Sequence, residues 1–339
     1  MPSSKVGSFP HFLIEFTSEA MPYLIGTDEA GYGPRLGPLL ISISVWHVDR
    51  SPLEVDLYTD LAEQISPAGT RGTDLLVIDD SKKLYHSGGS LRLLERSVLG
   101  CLSTLAPWPS TWRAAWIALT GGEPAALKDL PWYRDYDESL PIDAAAEEID
   151  RLQNALQNLW RAKACKLLDF RTVALFPHEL NHEIVALDSK AEALTRATLR
   201  LLATTLEKLP DDDALIVCDK HGGRNRYLPA LQRQFPDTLV QVLEESRPQS
   251  RYRFGSNANF TEICFRQGGE SFLPTALASL GSKFLRELAM RAWNRYWTGR
   301  IQNLKPTAGY PADAVRFRQS IEPLCEESGL PLHLWWRMR

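Results

Sequence analysis

The stretch that decides the fold is YLIGTDEAGYGPRLGPLLISISVWHV, residues 23–48. Two apolar runs within it, at 23–27 and 39–48, have the composition of buried strands. The glycines and prolines between them predict a tight loop, so we expect the two strands to pair antiparallel. An acidic pair, Asp28 and Glu29, stands where the first strand runs into this loop.

The glycines of this loop, Gly31, Gly33 and Gly37, have a spacing similar to that of a dinucleotide-binding loop. Such a loop must open a helix whose N-terminus faces the pyrophosphate. Here prolines interrupt the loop and a strand-like run follows, which argues against a dinucleotide site. Backbone amides in a Gly-x-Gly turn can still approach a polar substrate group closely.

Downstream of the hairpin, strand-like and helical segments alternate, which predicts an α/β fold with a mixed central sheet flanked by helices. Apolar residues at helical spacing predict long amphipathic helices at 143–168, 191–209 and 276–296. We expect further strands at 113–119 and 214–218.

The composition is that of a globular protein with a sizeable core: 339 residues, 44% apolar and 24% charged. No apolar run approaches the ~20 residues that cross a membrane. Five scattered cysteines without a CxxC pair indicate a reducing compartment and argue against a zinc site or a disulfide framework. We therefore expect a cytoplasmic protein, monomeric and without a membrane partner.

Charge is unevenly distributed along the chain, although the net charge of −4 alone speaks against a nucleic-acid partner. Basic residues dominate 222–253 and 281–305, whereas acidic residues concentrate in 123–150. A basic face on a mildly acidic protein is typical of transient binding to a phosphate backbone. Solvated helix faces produce the same pattern, so both interpretations stay open.

Four acids stand at strand ends or before a helix: Asp28, Glu29, Asp219 and Glu270. Taken alone, each of the aspartates is more simply explained as a turn cap. If the four converge at one sheet edge, their carboxylates repel one another unless a cation neutralises them. Oxygen-only ligands favour Mg²⁺ or Mn²⁺, and two such ions can support phosphodiester hydrolysis by water.

Five short blocks follow one another along the chain: IGTDEAGYGPRLGP (25–38), DSKKL (80–84), LIVCD (215–219), ASLGSKFLRE (278–287) and GYPAD (309–313). In this order they resemble the type 2 ribonuclease H (ribonuclease HII) family. The resemblance implies a ribonuclease H-like fold and a two-metal endonuclease, using Mg²⁺ or Mn²⁺, that cuts the RNA strand of RNA–DNA hybrids. The products would carry 5′-phosphate and 3′-hydroxyl ends.

The resemblance also assigns roles to residues of this chain. Asp28, Glu29, Asp219 and Glu270 would be the catalytic metal ligands, with Glu270 preferred to nearby Glu262. Substrate contacts are implied for nine further residues: Gly31, Tyr32, Gly33, Ser81, Lys82, Lys83, Ser279, Lys283 and Tyr310.

The chain departs from the family pattern in three ways. Tyr32 replaces the arginine of a Gly-Arg-Gly turn, Glu270 stands where the family usually has aspartate, and the chain is longer than a compact member. These departures keep two alternatives open: a non-catalytic nucleic-acid-binding relative, and a nuclease of the same fold acting on another nucleic-acid structure.

The predicted domain organisation has three parts. Residues 1–22 form an N-terminal extension, 23–315 the ribonuclease H-like catalytic domain, and 316–339 a C-terminal tail. An insertion of unknown role is expected at about 120–168 within the catalytic domain.

Overall fold

A computed structural model describes residues 22–68, 75–255 and 259–338. The expected N-terminal extension lies outside the described residues, apart from Pro22. The strands are β1 (Tyr23–Ala30), β2 (Leu39–His47), β3 (Ile65–Ser66), β4 (Leu76–Val77), β5 (Lys166–Leu175), β6 (Ala214–Asp219), β7 (Gln241–Glu245), β8 (Gln249–Gly255) and β9 (Phe260–Arg266).

Helices of very different length surround these strands. They are α1 (Leu57–Asp60), α2 (Ser81–Leu84), α3 (Arg92–Leu102), α4 (Trp112–Thr120), α5 (Ala125–Asp129), α6 (Pro131–Arg134), α7 (Ala146–Lys163), α8 (Pro177–Leu187), α9 (Lys190–Leu206), α10 (Leu228–Gln234), α11 (Leu273–Thr298) and α12 (Pro311–Glu327). Two single 3₁₀ turns, Gly269–Ser271 and Leu332–Leu334, complete the list.

The central sheet has seven strands in the order β5-β2-β1-β6-β9-β8-β7, and β3 and β4 form a separate pair. The predicted antiparallel hairpin is present, because β1 pairs with β2 from Tyr23 opposite His47 to Ala30 opposite Leu40. Strands β1, β6 and β9 run parallel to one another at the centre. Their carboxyl ends therefore meet at one edge of the sheet. The predicted mixed α/β fold class is confirmed.

Helix α11 lies directly on the central strands, and its close approach depends on Gly26. A Cβ atom at Gly26 would stand 2.0 Å from the Thr275 amide nitrogen, so only glycine fits. Polar contacts then fix the helix on the sheet: Thr275 Oγ1 donates to the Val217 carbonyl at 2.8 Å, and Ser282 Oγ lies 2.8 Å from Ser42 Oγ. The helix face that borders the sheet end is thereby held in one register.

The two faces of the sheet carry separate hydrophobic clusters. On one face α11 packs with α3, α4 and α7, and on the other face α8, α9 and α10 cover the strands. Side chains of β1 alternate between them, as a strand buried on both faces requires: Leu24 belongs to the first cluster, Tyr23 and Ile25 to the second.

Two predicted elements are wrong. Residues 113–119 form helix α4 instead of a strand, capped by the Thr111 side chain and ended by Gly121 in a left-handed conformation. The helix predicted at 143–168 ends at Lys163, after which Ala164 turns the chain at φ 47° into strand β5.

The end of the described chain packs against the domain. The boundary placed at residue 315 falls within α12, and Trp335 and Arg337 are both buried. All five cysteines are free and buried. Within the described part of the chain, no helix has the length and apolar character to cross a bilayer.

Candidate active site

A cavity of about 370 Å³ opens at the sheet edge where the parallel strands end. Twelve of the thirteen predicted site residues line it: Asp28, Glu29, Gly31, Tyr32, Gly33, Ser81, Lys82, Asp219, Glu270, Ser279, Lys283 and Tyr310. The thirteenth, Lys83, is outside, with its Nζ 2.8 Å from Asp79 Oδ1 and its side chain 58% exposed. We refer to this space as the carboxylate cavity.

The strand ends place the acids of the cavity. Asp28 follows Thr27, which pairs with Cys218 on parallel β6, and Asp219 is the next residue of β6. Asp28 and Glu29 belong to the last three residues of strand β1, before the loop begins. Glu270 sits in the 3₁₀ turn that connects β9 to α11. Neighbouring backbone amides orient two of the carboxylates. The Glu29 N–H donates to Asp28 Oδ1 at 2.8 Å, and the Gly269 N–H donates to Asp219 Oδ1 at 3.4 Å.

The carboxylates of the cavity are crowded, and their proton affinity reflects it. Burial, followed by the charge of Asp219, raises the pKa of Asp28 to about 7. Burial and the charge of Asp28 likewise hold the pKa of Glu29 well above its usual value. Burial also raises the pKa of Asp219, and the charge of Glu270 adds to the effect. The site therefore favours protons or another cation.

One residue of the Asp-Ser-Lys-Lys block places a positive charge among these acids. The positive charge of Lys82 partly offsets the rise in the pKa of Glu29. The negative charge of Asp80 and, more weakly, that of Asp28 raise the pKa of Lys82. Helix α2, which carries Lys82, is capped by the Asp80 side chain. Ser81 Oγ on the same helix lies 3.0 Å from Ser279 Oγ, which joins α2 to α11 at the cavity floor.

Helix α11 presents one face to the cavity. Ser279, Lys283, Arg286 and Glu287 line the cavity; Lys283 is four residues from Ser279 and three and four residues from Arg286 and Glu287. Lys283 Nζ lies 2.6 Å from Glu287 Oε1, and it stands over the Tyr85 ring at 4.9 Å. A carboxylate and an aromatic ring therefore fix the position of the lysine at the cavity.

Two buried arginines hold the Gly-Tyr-Gly loop from beneath. Arg337, which is 0% exposed, donates to the carbonyls of Gly31, Pro34 and Gly37. Arg286 donates to the carbonyls of Pro38, Leu36 and Ala308 at 3.0 to 3.2 Å. The loop backbone at Gly31 has a φ of 92°, a conformation that favours glycine. The loop thus has a fixed shape.

Sequence reasoning missed the role of these arginines. Arg286 lies within the ASLGSKFLRE block, so the sequence placed it near other predicted site residues but did not indicate its contacts. Arg337 is 306 residues from Gly31 in the chain and carried no signal at all.

Tyr32 and Tyr310 both line the carboxylate cavity. The Tyr32 ring lies 4.8 Å from Lys190 Nζ at the start of α9. Tyr310 is 55% exposed, and its ring is 3.7 Å from the place a Cβ of Gly33 would take. An exposed tyrosine at the rim offers a face on which a base or sugar can stack.

Glu262 is placed away from this cavity. It is 2% exposed on β9 and accepts from Arg251 at 2.6 Å and from Arg253 at 2.8 Å, both on β8. Its charge is neutralised within the sheet. Of the two glutamates, Glu270 lines the carboxylate cavity and Glu262 does not.

The types of side chain that line the cavity are compatible with a hard divalent cation. Its acidic lining supplies only carboxylate oxygens, the ligands that Mg²⁺ and Mn²⁺ prefer. The raised pKa of Asp28 shows that this set of donors lacks full compensation. Within the described residues, however, no three His, Cys, Asp or Glu side chains are already grouped as metal ligands.

No protein-family model and no curated protein sequence matches this chain. Solved structures to which it is similar include ribonuclease HII of Archaeoglobus fulgidus in a complex with PCNA, at 13% identity. That alignment covers 93% of this chain and 94% of the other, with a TM-score of 0.39.

Two further similar structures are ribonucleases. Ribonuclease H2 of Pyrococcus horikoshii is 13% identical, with 92% of each chain covered and a TM-score of 0.39. Bst-RNase HIII in complex with Mn²⁺ is 13% identical, with 95% of this chain and 68% of the other covered and a TM-score of 0.40.

Proposed function

We propose that this protein is a divalent-metal-dependent endonuclease that hydrolyses the RNA strand of RNA–DNA hybrids. The observation that carries the proposal is the convergence of all five sequence blocks on the carboxylate cavity. The blocks are far apart in the sequence, and each could be explained singly by a local structural role. Their meeting in one cavity, with carboxylates, lysines, serines and a tyrosine, matches what cleavage of a phosphodiester requires.

The acids have a defined part in this proposal. Asp28 and Asp219 would hold the cation, and Glu29 and Glu270 would complete its surroundings and orient the attacking water. When bound there, Mg²⁺ or Mn²⁺ would lower the pKa of water, the nucleophile, and would neutralise the charge that develops on the leaving oxygen. Because water and not the ribose 2′-hydroxyl attacks, the products carry 5′-phosphate and 3′-hydroxyl ends.

The remaining residues of the cavity bind the substrate. Lys82 and Lys283 face the scissile phosphate and its neighbours, since both line the cavity beside the acids. The loop at Gly31 and Gly33 approaches the ribose 2′-hydroxyl, the group that distinguishes RNA from DNA. Arg337 positions this loop by holding its carbonyls.

Cleavage assays on three duplexes test the proposal: an RNA–DNA hybrid, a DNA duplex with one embedded ribonucleotide, and plain DNA. Each is incubated with Mg²⁺, Mn²⁺ or EDTA. We expect cutting of the hybrid with metal only, with products of the stated ends, and no cutting of plain DNA. A matched control for acid substitutions is Glu63→Gln, whose side chain is 68% exposed and pairs with Lys163. Absence of cleavage of the hybrid with either metal would contradict the proposal.

A second candidate is a nuclease of the same kind acting on another nucleic-acid structure. The observation in its favour is Tyr32, which stands in the loop where the resemblance leads us to expect arginine. Preferential cutting of a branched or nicked DNA over the hybrid in the same assay would favour this candidate.

A further inference from the structure

A second cavity, of about 840 Å³, lies between α9 and α10 and is not part of the carboxylate cavity. Among the described residues that line it, five are arginines and one is acidic, Glu192. The arginines are Arg196, Arg200, Arg224, Arg226 and Arg233. We call this cavity the arginine groove. Such a density of positive charge is unusual for a chain whose net charge is −4.

Four of these arginines are held in two groups, each with two arginines on one glutamate. The pairs are Arg224 and Arg233 on Glu192, and Arg196 and Arg200 on Glu183. Each group keeps one net positive charge, because one carboxylate neutralises only one guanidinium. The glutamate side chains are 17% and 21% exposed, whereas those of the arginines are 25% to 68% exposed. The guanidinium groups therefore form the outer surface, and the carboxylates orient them from below.

The arginine groove begins beside the carboxylate cavity, with Tyr32 between the two. Tyr32 lines the carboxylate cavity, and its hydroxyl is 3.3 Å from the place a Cβ of Gly222 would take, two residues before Arg224. The Tyr32 ring also lies 4.8 Å from Lys190 Nζ, at the first residue of α9. A strand that passes Tyr32 on leaving the carboxylates therefore meets Arg224 next.

The arginine groove then follows α9 away from the carboxylates. From Lys190 to Arg200 a helix advances ~15 Å, which corresponds to about four nucleotides of one strand of a duplex. Guanidinium groups bind phosphate oxygens in bidentate fashion, more strongly than neutral donors do. The charge, the spacing and the direction all suit a phosphate backbone.

We propose that the arginine groove binds the phosphate backbone of the nucleic-acid substrate beyond the cleavage site, an inference that rests on the proposed function. The groove adds affinity and sets the direction in which the duplex lies. It reads no base sequence, because phosphate contacts carry none.

The test uses the double variant Arg200→Gln/Arg233→Gln. It removes two charges but leaves each glutamate its other arginine, Arg196 or Arg224. The matched control is Arg50→Gln/Arg161→Gln, which removes two arginines near the other end of the sheet. Binding of a labelled hybrid of ~24 base pairs is measured by fluorescence anisotropy in EDTA, over a series of salt concentrations.

We expect the groove variant to bind the hybrid ~10-fold more weakly than the control variant, with a salt slope smaller by up to ~2. A second variant, Arg226→Glu, changes a side chain that is 86% exposed, so it tests the groove even if the double variant fails to fold. Affinities of both groove variants within about twofold of the control would overturn the inference.

The two proposals fail in distinguishable ways. If the wild-type protein cuts the hybrid and the groove variants bind it as the control does, only the arginine groove is refuted. If the wild-type protein binds the hybrid through the groove but never cuts it with metal, the nuclease proposal is refuted instead.

Discussion

Acids with restricted access to solvent occur in two regions of this sheet, and their charges are compensated in different ways. Glu262 on β9 is 2% exposed and has two arginine partners, Arg251 and Arg253, on the adjacent strand. Asp28 lies among other carboxylates, and burial together with the charge of Asp219 raises its pKa to about 7. A buried charge without a partner is costly to the fold. The charge of Glu262 is neutralised within the sheet, whereas the acids of the carboxylate cavity repel one another until a proton or a cation neutralises them.

The same contrast predicts how stability depends on pH. A carboxyl whose pKa is raised in the folded state binds its proton more tightly there than in the unfolded chain. For Asp28 this stabilisation is present below the unfolded value of about 4 and is lost as the pH rises to about 7. The contribution of Asp28 should therefore give the metal-free protein a higher melting temperature at pH 5 than at pH 8. Added Mg²⁺ should raise the melting temperature most at pH 8.

The largest effect is expected from Asp28→Asn. Cleavage of the hybrid should fall by on the order of 10³-fold or more, because the variant removes a metal ligand. The same change should raise the stability of the metal-free protein by on the order of 1 kcal/mol, since it relieves the repulsion among the acids. Cleavage rates and thermal melts without metal check both halves. Activity close to that of wild type would place the chemistry elsewhere.

The next prediction compares the two glutamates directly. Glu270→Gln should lose ~10²-fold or more in cleavage with little change in melting temperature. Glu262→Gln should keep its cleavage rate but lose about 1–3 kcal/mol of stability, since it removes charged hydrogen bonds to Arg251 and Arg253. Rates are compared well below both melting temperatures. The reverse pattern would make Glu262 the residue of the site.

A smaller effect is expected from Arg337→Met, which keeps the volume but removes every donor. The carbonyls of Gly31, Pro34 and Gly37 would lose their partner, at a cost of about 1–3 kcal/mol. If Arg337 positions the loop, kcat/KM for the hybrid should also fall ~10-fold at temperatures where the variant is folded. Arg318→Met, on the surface of α12, is the control. A loss of stability with unchanged kcat/KM would reduce Arg337 to a structural role.

The smallest effect concerns substrate choice at Tyr32. Tyrosine cannot clamp a phosphate in bidentate fashion, so we expect weak preference for a single embedded ribonucleotide. Tyr32→Arg should raise the ratio of cutting rates, embedded ribonucleotide over hybrid, by several-fold, whereas Tyr32→Phe should leave that ratio unchanged. An identical ratio in wild type and Tyr32→Arg, at one salt concentration, would show that the loop does not read the junction.

Local patterns predicted much of the fold. The hairpin of 23–48 and the helix over 276–296 were predicted because alternation, helical periodicity and Gly/Pro punctuation are encoded within a few residues. Helix α4 was misread although Trp112, Ala115, Trp116 and Leu119 are buried at helical spacing. Strand β5 was missed because Ala164, a residue that rarely takes positive φ, ends the preceding helix.

The position of the candidate site was indicated by where strands end and not by local periodicity. Asp28, Asp219 and Glu270 could be expected together because each lies at the end of a strand or shortly after it, and parallel strands end at one edge. The contribution of Arg337 could not be expected, since tertiary folding alone brings it to Gly31. The arginine groove was visible only in part: Arg224 and Arg233 belong to the basic segment 222–253, but Arg196 and Arg200 come from α9.

We propose that the crowded acids of the carboxylate cavity bind a divalent cation. The most direct measurement is titration calorimetry of Mn²⁺ into the wild type, Asp28→Asn and Glu262→Gln proteins at pH 7, in two buffers of different ionisation enthalpy. We expect the wild type and Glu262→Gln to bind Mn²⁺ and to release protons on binding, because the pKa of Asp28 is about 7. Asp28→Asn should bind at least ~10-fold more weakly. Equal Mn²⁺ binding by Asp28→Asn and wild type, or none by either, would contradict the claim.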